Sequence, residues 1–156
     1  MKKKILAIVS ARGGSKGIKL KNLRKIDGKP LIYYSLKYLS KVKKIDRVVV
    51  STDNNKIKKA VKKFFPKIEV LNRNKKLSSH SATLTEVVKE VSKELYKKGY
   101  KSDYVLQIAP TCPFIKSKTV EKIIRKLENK NVNCVVTLKR IEHEHPYRAK
   151  ILNKKN

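Results

Sequence analysis

Short apolar runs alternate along the chain with segments whose apolar residues are spaced as on one face of a helix. The runs predict five β-strands, at 5–10, 46–52, 67–71, 103–108 and 133–138. The helical spacing predicts α-helices at 31–42, 54–64, 83–98 and 119–129, the second of them capped by Asp53. This alternation is typical of a mostly parallel sheet with helices on both faces. The sequence therefore predicts a single α/β domain over residues 1–156, with Cys134 in its core.

The segments that follow these strands carry the candidate chemistry, because ligands of parallel α/β sheets bind beyond the carboxyl ends of the strands. We expect four of them to converge on one crevice: 11–22, 51–54, 72–82 and 109–116. The first reads ARGGSKGIKLKN and combines three glycines with basic side chains, which suits backbone and charge contacts to phosphate. It matches neither the P-loop nor the dinucleotide-binding glycine pattern. A flexible surface loop is the alternative interpretation.

The chain is strongly basic, with 41 Lys and Arg against 12 Asp and Glu and a net charge of +29. Most of these cations are lysines spread along the whole length, and the tyrosines do not interleave with a basic patch in the sequence. This pattern favours a solvated surface over a nucleic-acid partner, with polyanion binding as the alternative. No apolar stretch reaches the roughly 20 residues of a membrane span. We expect a cytoplasmic protein without membrane contact.

Residues 11–23, ARGGSKGIKLKNL, resemble the N-terminal signature of the acylneuraminate (CMP-sialic acid) synthetases, the cytidylyltransferases that activate nonulosonic acids. The resemblance continues in order through GKPLI, DRVVVSTDNNKI, LQIAPTCPF and EHEHPY, at 28–32, 46–57, 106–114 and 142–147. The Lys21-Asn22 pair favours this branch over the related synthetases for the eight-carbon acid KDO.

The resemblance implies a fold, a reaction and a cofactor. The fold is the Rossmann-like nucleotide-diphospho-sugar transferase type. In the reaction, the anomeric hydroxyl of a sialic, legionaminic or pseudaminic type of acid attacks the α-phosphate of CTP, and a CMP-sugar and pyrophosphate form with the help of Mg²⁺.

The resemblance also implies roles for individual side chains. Arg12 and Lys21 are the catalytic residues and hold the phosphates, and Asn22 meets the cytosine edge. Further nucleotide contacts are expected from Ala11, Gly13, Ser15, Lys16, Arg73 and Ala82. Gln107 and His145 are expected near the sugar, and His80 stands where the family usually has Asp.

Family members are longer than this chain, and their later part supplies a subunit contact and an acidic pair that binds Mg²⁺. We therefore expect residues 1–156 to be a domain truncated at its C-terminus. The metal site would then lie beyond it, and the full-length protein would form a homodimer. On this basis the chain alone is expected to bind CTP weakly and to turn over little. A KDO-type or other sugar nucleotidyltransferase, and a non-catalytic nucleotide-binding remnant, are the alternatives.

Overall fold

The structure, a computed structural model, describes residues 3–15, 17–79, 81–129 and 132–138. Its strands are β1 (Ile5–Ser10), β2 (Lys25–Ile26), β3 (Lys29–Pro30), β4 (Arg47–Thr52), β5 (Glu69–Asn72) and β6 (Tyr104–Ile108). Its helices are α1 (Leu31–Leu39), α2 (Asn55–Phe64), α3 (Leu84–Lys97) and α4 (Ser117–Asn129). Two short 3-10 turns lie at Lys21–Leu23 and Lys75–Ser78. Within the described residues, no helix is long and apolar enough to cross a membrane.

The main sheet is parallel and has the strand order β5-β4-β1-β6. Strand β1 lies inside the sheet, and its residues from Ile5 to Val9 are at most 2% exposed. The glycine-rich segment 11–22 therefore leaves the sheet from an interior strand at its carboxyl edge. Strands β2 and β3 form a separate antiparallel hairpin, whose turn places Asp27 and Gly28 at positive φ.

Helices cover both faces of the sheet, as the sequence predicts. Alternate residues of β1 point to opposite faces, which follows from the pleat of a strand. On one face Ala7 and Val9 share a hydrophobic cluster with apolar residues of α1, α2 and α4. On the other face Leu6 and Ile8 pack with three residues of α3: Val87, Val91 and Leu95. The two clusters hold β1 and its carboxyl end in a fixed position.

The prediction of a fifth strand at 133–138 is wrong, since the described residues there are not in a strand. Strand residues need a neighbour with which to form ladder hydrogen bonds. In the described part of the chain β6 ends the sheet order, and 133–138 does not pair with it. Cys134 is exposed instead of lying in the core, and Leu138 is 92% exposed.

Two local expectations also need correction. Asp53 does not cap α2, because Asn54 takes that position and its side chain accepts hydrogen bonds from the N–H groups of Lys56 and Ile57. Helix α1 ends at Leu39 rather than at residue 42. The three residues after Leu39 form a turn, in which the Val42 N–H donates to the Leu39 carbonyl.

The aromatic ring of Tyr33 lies near basic side chains. The ammonium groups of Lys29 and Lys37 lie 5.8 and 5.7 Å from the ring centroid of Tyr33. Lys29 also lies 5.0 Å from the ring centroid of Phe64. Lys29 and Lys37 are each four residues from Tyr33, so their contacts with it are local. The contact of Lys29 with Phe64 joins β3 to α2 and depends on the fold.

Candidate functional site

The glycine-rich segment is attached to the corner between β4 and α2. The Ala11 N–H donates to the Ser51 carbonyl at 3.0 Å, which extends the pairing of β1 and β4 beyond the end of β1. Two residues later the Gly13 N–H donates to Oδ1 of Asp53 at 2.8 Å. The segments 11–22 and 51–54 therefore meet at the carboxyl edge of the sheet, as predicted.

Gly13 packs directly against Asn54. A Cβ atom at Gly13 would lie 2.6 Å from Nδ2 and 2.9 Å from Cβ of Asn54, too close for any side chain. Asn54 has little room to move because its Oδ1 caps α2. By contrast, a Cβ atom at Gly14 or Gly17 would have nothing within 4 Å. The protein itself therefore requires glycine at position 13, while the other two positions have space.

Arg12 connects this corner to the segment after β5. Its Nη1 donates to the carbonyl of Ser79 at 2.9 Å. The Arg12 carbonyl in turn accepts a 2.9 Å hydrogen bond from Nδ2 of Asn22, which is only 5% exposed. Leu20, at φ 51, turns the chain back so that the two ends of the segment meet. Three predicted segments thus converge around Arg12.

Arg73 lies buried behind this corner, at 7% exposure. Its Nε donates to Oγ of Ser51 at 3.1 Å, and its Nη2 donates to the Ser51 carbonyl at 2.9 Å. The pKa of Arg73 is lowered, chiefly by burial and in part by the nearby positive charge of Arg12. The carboxylates of Asp53 and Glu90 act against this shift. The guanidinium groups of Arg12 and Arg73 and the carboxylate of Asp53 therefore lie near one another and form a mixed-charge cluster.

The remaining predicted residues are placed less closely together. Ser15, Lys21 and Ala82 are half-buried in the same segments, and Ala82 directly precedes Thr83, the N-cap of α3. Gln107 is exposed on β6, in register with Ile8 of β1.

Segment 109–116, the fourth that was expected at this edge, follows β6. It begins with a turn in which the Cys112 N–H donates to the Ala109 carbonyl. The contacts around Arg12 described above do not extend to it. Lys16, His80 and His145 lie outside the described residues.

Sequence reasoning missed Ser51 and Asn54 as parts of this site. Both belong to the polar run STDN at the end of a buried strand, and this position was the available signal. What each side chain does depends on Arg73 and Gly13, which are distant in the sequence. Among the described residues, no group of three or more His, Cys, Asp or Glu could hold a metal ion.

A cavity of about 350 Å³ lies elsewhere, and Leu6, Leu95, Tyr100 and Val105 are among its lining residues, from β1, β6 and the region of α3. The site is identified by the hydrogen bonds around Arg12.

Residues 6–154 match the protein-family model described as "Cytidylyltransferase". A pseudaminic acid cytidylyltransferase of Campylobacter jejuni subsp. jejuni serotype O:2 is 32% identical over 155 residues, which cover 98% of this chain and 65% of that protein. A CMP-N,N'-diacetyllegionaminic acid synthase of Legionella pneumophila is 30% identical over 134 residues, 85% of this chain and 57% of that protein. An N-acylneuraminate cytidylyltransferase of Oncorhynchus mykiss is 28% identical, over 91% of this chain and 32% of that protein. The chain therefore spans 65% or less of the length of these relatives.

Several solved structures share the fold. The structure of CMP:2-keto-3-deoxy-manno-octonic acid synthetase complexed with CTP has a TM-score of 0.69 at 23% identity, and the match covers 81% of this chain and 48% of that one. A 4-diphosphocytidyl-2C-methyl-D-erythritol synthase gives 0.67 at 19% identity, with 93% and 66% covered. A Mycobacterium tuberculosis H37Rv protein solved in complex with manganese gives 0.57 at 13% identity, with 81% and 60% covered.

These matches confirm both the resemblance identified in the sequence and the Rossmann-like nucleotidyltransferase fold. The family match covers nearly the whole chain, including the segments that meet around Arg12. The chain belongs to the cytidylyltransferase family.

Proposed function

We propose that this chain carries the CTP-binding part of an enzyme that transfers CMP from CTP to a nonulosonic acid and releases pyrophosphate. The observation that supports this most is the convergence of Arg12, Gly13, Asn22 and Arg73 at the carboxyl edge of the sheet, where ligands of such sheets bind. The names of the relatives support an acid of the sialic, legionaminic or pseudaminic type.

The phosphates are assigned to the segment around Arg12. A nucleoside triphosphate carries about four negative charges, so it needs fixed cations and hydrogen-bond donors near it. Arg12 and Lys21 take this role in the proposal, with Ser15 and Lys16 from the same segment. The Arg12 guanidinium group, which donates to the Ser79 carbonyl, carries the fixed charge and the planar N–H groups that suit a phosphate.

Ala11, Gly13, Asn22, Arg73 and Ala82 complete the nucleotide contacts in the proposal. An amide side chain carries two donors and one acceptor oxygen. One Asn22 donor holds the Arg12 carbonyl, and we assign the other donor and the oxygen to the cytosine edge. Arg73 contributes a buried positive charge beside them. The same asparagine would then connect the contact with the base to the position of the phosphate-binding residue.

In the proposed reaction the anomeric hydroxyl attacks the α-phosphate, a new P–O bond forms, and the bond to pyrophosphate breaks. The residues of this chain bind the nucleotide, orient the α-phosphate and offset the developing charge. Gln107 and His145 are proposed to contact the acid. We propose that Mg²⁺ enters with CTP, and that the active protein is a homodimer in the cytoplasm.

Product formation tests this proposal against its alternatives. The full chain is incubated with CTP, Mg²⁺ and, separately, sialic, legionaminic and pseudaminic acids and KDO, and pyrophosphate and CMP-linked products are measured. A CMP-nonulosonate supports the proposal. CMP-KDO as the only product supports the KDO-type alternative. CTP binding with little or no product agrees with the low turnover expected of this chain alone, and selectivity for CTP over other nucleotides then tests the proposal. Absence of CTP binding contradicts the proposal.

A further inference from the structure

Asp53 makes a contact that its position in the sequence did not predict. It follows β4 directly, and its side chain is exposed. Because Asn54 caps α2, the carboxylate of Asp53 is not needed at the start of the helix. It accepts instead the N–H of Gly13, forty residues earlier, at 2.8 Å. This contact connects the segment that carries Arg12 to the β4–α2 corner.

The backbone on either side of Arg12 is held by contacts from several directions. The Ala11 N–H is held by the Ser51 carbonyl, and the Arg12 carbonyl is held by Asn22. At Gly13, the Cα atom packs on Asn54, and the N–H is bound by Asp53. Asp53 is the only one of these partners that offers a charged side chain to the segment. Its removal would release the Gly13 N–H, which shares a peptide group with the Arg12 carbonyl, while the other contacts stayed in place.

The negative charge of Asp53 and its hydrogen bond have opposite effects on the binding of a triphosphate. Asp53 is close enough to Arg73 to influence its pKa, and Arg73 is similarly coupled to Arg12. A carboxylate at this place offsets part of the positive charge that would attract a triphosphate. The hydrogen bond, by contrast, holds the peptide group that orients Arg12. The two effects can be separated, because an asparagine side chain keeps an acceptor oxygen but carries no charge.

We propose that Asp53 is a positioning residue for the phosphate-binding segment, acting through the Gly13 N–H to hold Arg12 in place. This inference rests on the proposed function, since it assigns Arg12 to the phosphates. Asp53 itself touches neither nucleotide nor acid in this account. Its contribution is the acceptor oxygen, and its charge weakens rather than strengthens the binding of the anion.

The test compares Asp53→Ala with Asp53→Asn. Dissociation constants for CTP and for inorganic tripolyphosphate are measured by calorimetry on the full chain. The exchange rate of the Gly13 amide proton is measured by NMR. We expect Asp53→Ala to weaken both ligands by about tenfold, equivalent to about 1.4 kcal/mol, and to speed Gly13 exchange. Asp53→Asn should bind both ligands at least as tightly as the unmodified chain and keep Gly13 protected.

Asp103→Ala is the matched control. Asp103 is also an exposed aspartate that accepts a backbone N–H, that of Lys4 at 2.7 Å, but it lies at the amino edge of the sheet. Its removal should leave the affinity for both ligands unchanged.

Two results would overturn the inference. One is unchanged or tighter binding by Asp53→Ala. The other is an equal loss in Asp53→Asn and Asp53→Ala, which would mean that the charge matters and not the hydrogen bond. If the unmodified chain binds CTP no better than tripolyphosphate, the proposed base recognition fails, and the tripolyphosphate series still decides the role of Asp53. If neither ligand binds, both proposals are wrong.

Discussion

Asn22 donates from its side-chain amide to the backbone carbonyl of Arg12 at 2.9 Å, and it does so while only 5% exposed. The residue assigned to the cytosine edge therefore also closes the segment that is assigned to the phosphates. A change at Asn22 should affect base recognition, phosphate binding and stability together. This link between the two halves of the nucleotide was not visible in the sequence.

Replacement of Asn22 by alanine leaves the Arg12 carbonyl without this donor. Removal of one partner from a buried hydrogen bond costs about 1–3 kcal/mol. We expect Asn22→Ala to lower the free energy of unfolding by that amount, measured by urea denaturation, and to weaken CTP more than tripolyphosphate. Asn129→Ala, at the exposed end of α4, is the control and should change stability by less than about 0.5 kcal/mol. Equal stability of the two variants would contradict the structural role of Asn22.

The three glycines of the segment should respond differently to alanine. At Gly13 the added Cβ atom meets Asn54 at 2.6 Å, and neither neighbour can move freely. Overpacking of this kind costs typically about 1–3 kcal/mol. Gly14→Ala has open space and should stay within about 0.5 kcal/mol of the unmodified chain. Thermal and urea unfolding of the two variants measures the difference, and a Gly14→Ala variant as unstable as Gly13→Ala would refute the packing argument.

Ser51 holds the buried guanidinium group of Arg73 through its side chain as well as its carbonyl. Ser51→Ala removes the acceptor for Arg73 Nε, and we expect it to lower the free energy of unfolding by about 1–3 kcal/mol. Ser40→Ala removes an exposed serine hydroxyl that donates to the nearby Lys37 carbonyl, and it serves as the control. If urea denaturation gives the same midpoint and slope for both variants, the Ser51 hydroxyl does not support Arg73.

The start of α3 makes stability depend on pH. Hydrogen bonds from the backbone and side chain of Thr83 hold the pKa of Glu86 below its ordinary value. A depressed carboxyl pKa contributes stability above the unfolded-state value, and the contribution is lost as pH falls through the folded-state value. Glu86→Gln should therefore be less stable than the unmodified chain at pH 7, and the gap should narrow as the pH falls through the lowered pKa of Glu86. Denaturation curves across this range check it, and a gap independent of pH would contradict the assignment.

The architecture could be predicted because its determinants are local. The five apolar residues of β1 mark an interior strand, and the carboxyl ends of parallel strands share one edge, so the meeting of segments 11–22, 51–54 and 72–82 followed. The failure of the predicted strand at 133–138 has a non-local cause. The alternation of residues indicates that a segment suits a sheet, but it does not indicate whether the segment pairs with an edge strand such as β6.

The roles of individual polar residues depended on contacts that are distant in the sequence. Asp53 and Asn54 are equally good helix caps by residue type. The structure assigns the cap to Asn54 and turns Asp53 toward Gly13, and only the position of β1 beside β4 decides between them. The same holds for Lys29 and Phe64, which are distant in the sequence and meet only because β3 lies near α2.

The most direct test of the central claim is the affinity of the full chain for four nucleotides. Calorimetry with CTP, UTP, ATP and GTP is performed on the unmodified chain, on Arg12→Ala and on Lys97→Ala. Lys97 is exposed at the end of α3 opposite Thr83. The account predicts that CTP binds most tightly, that Arg12→Ala abolishes this binding, and that Lys97→Ala leaves it unchanged. The account would be contradicted if all four nucleotides bound with equal affinity and both variants lost that affinity to the same extent. Such a result would mean that the positive charge of the chain binds polyanions diffusely.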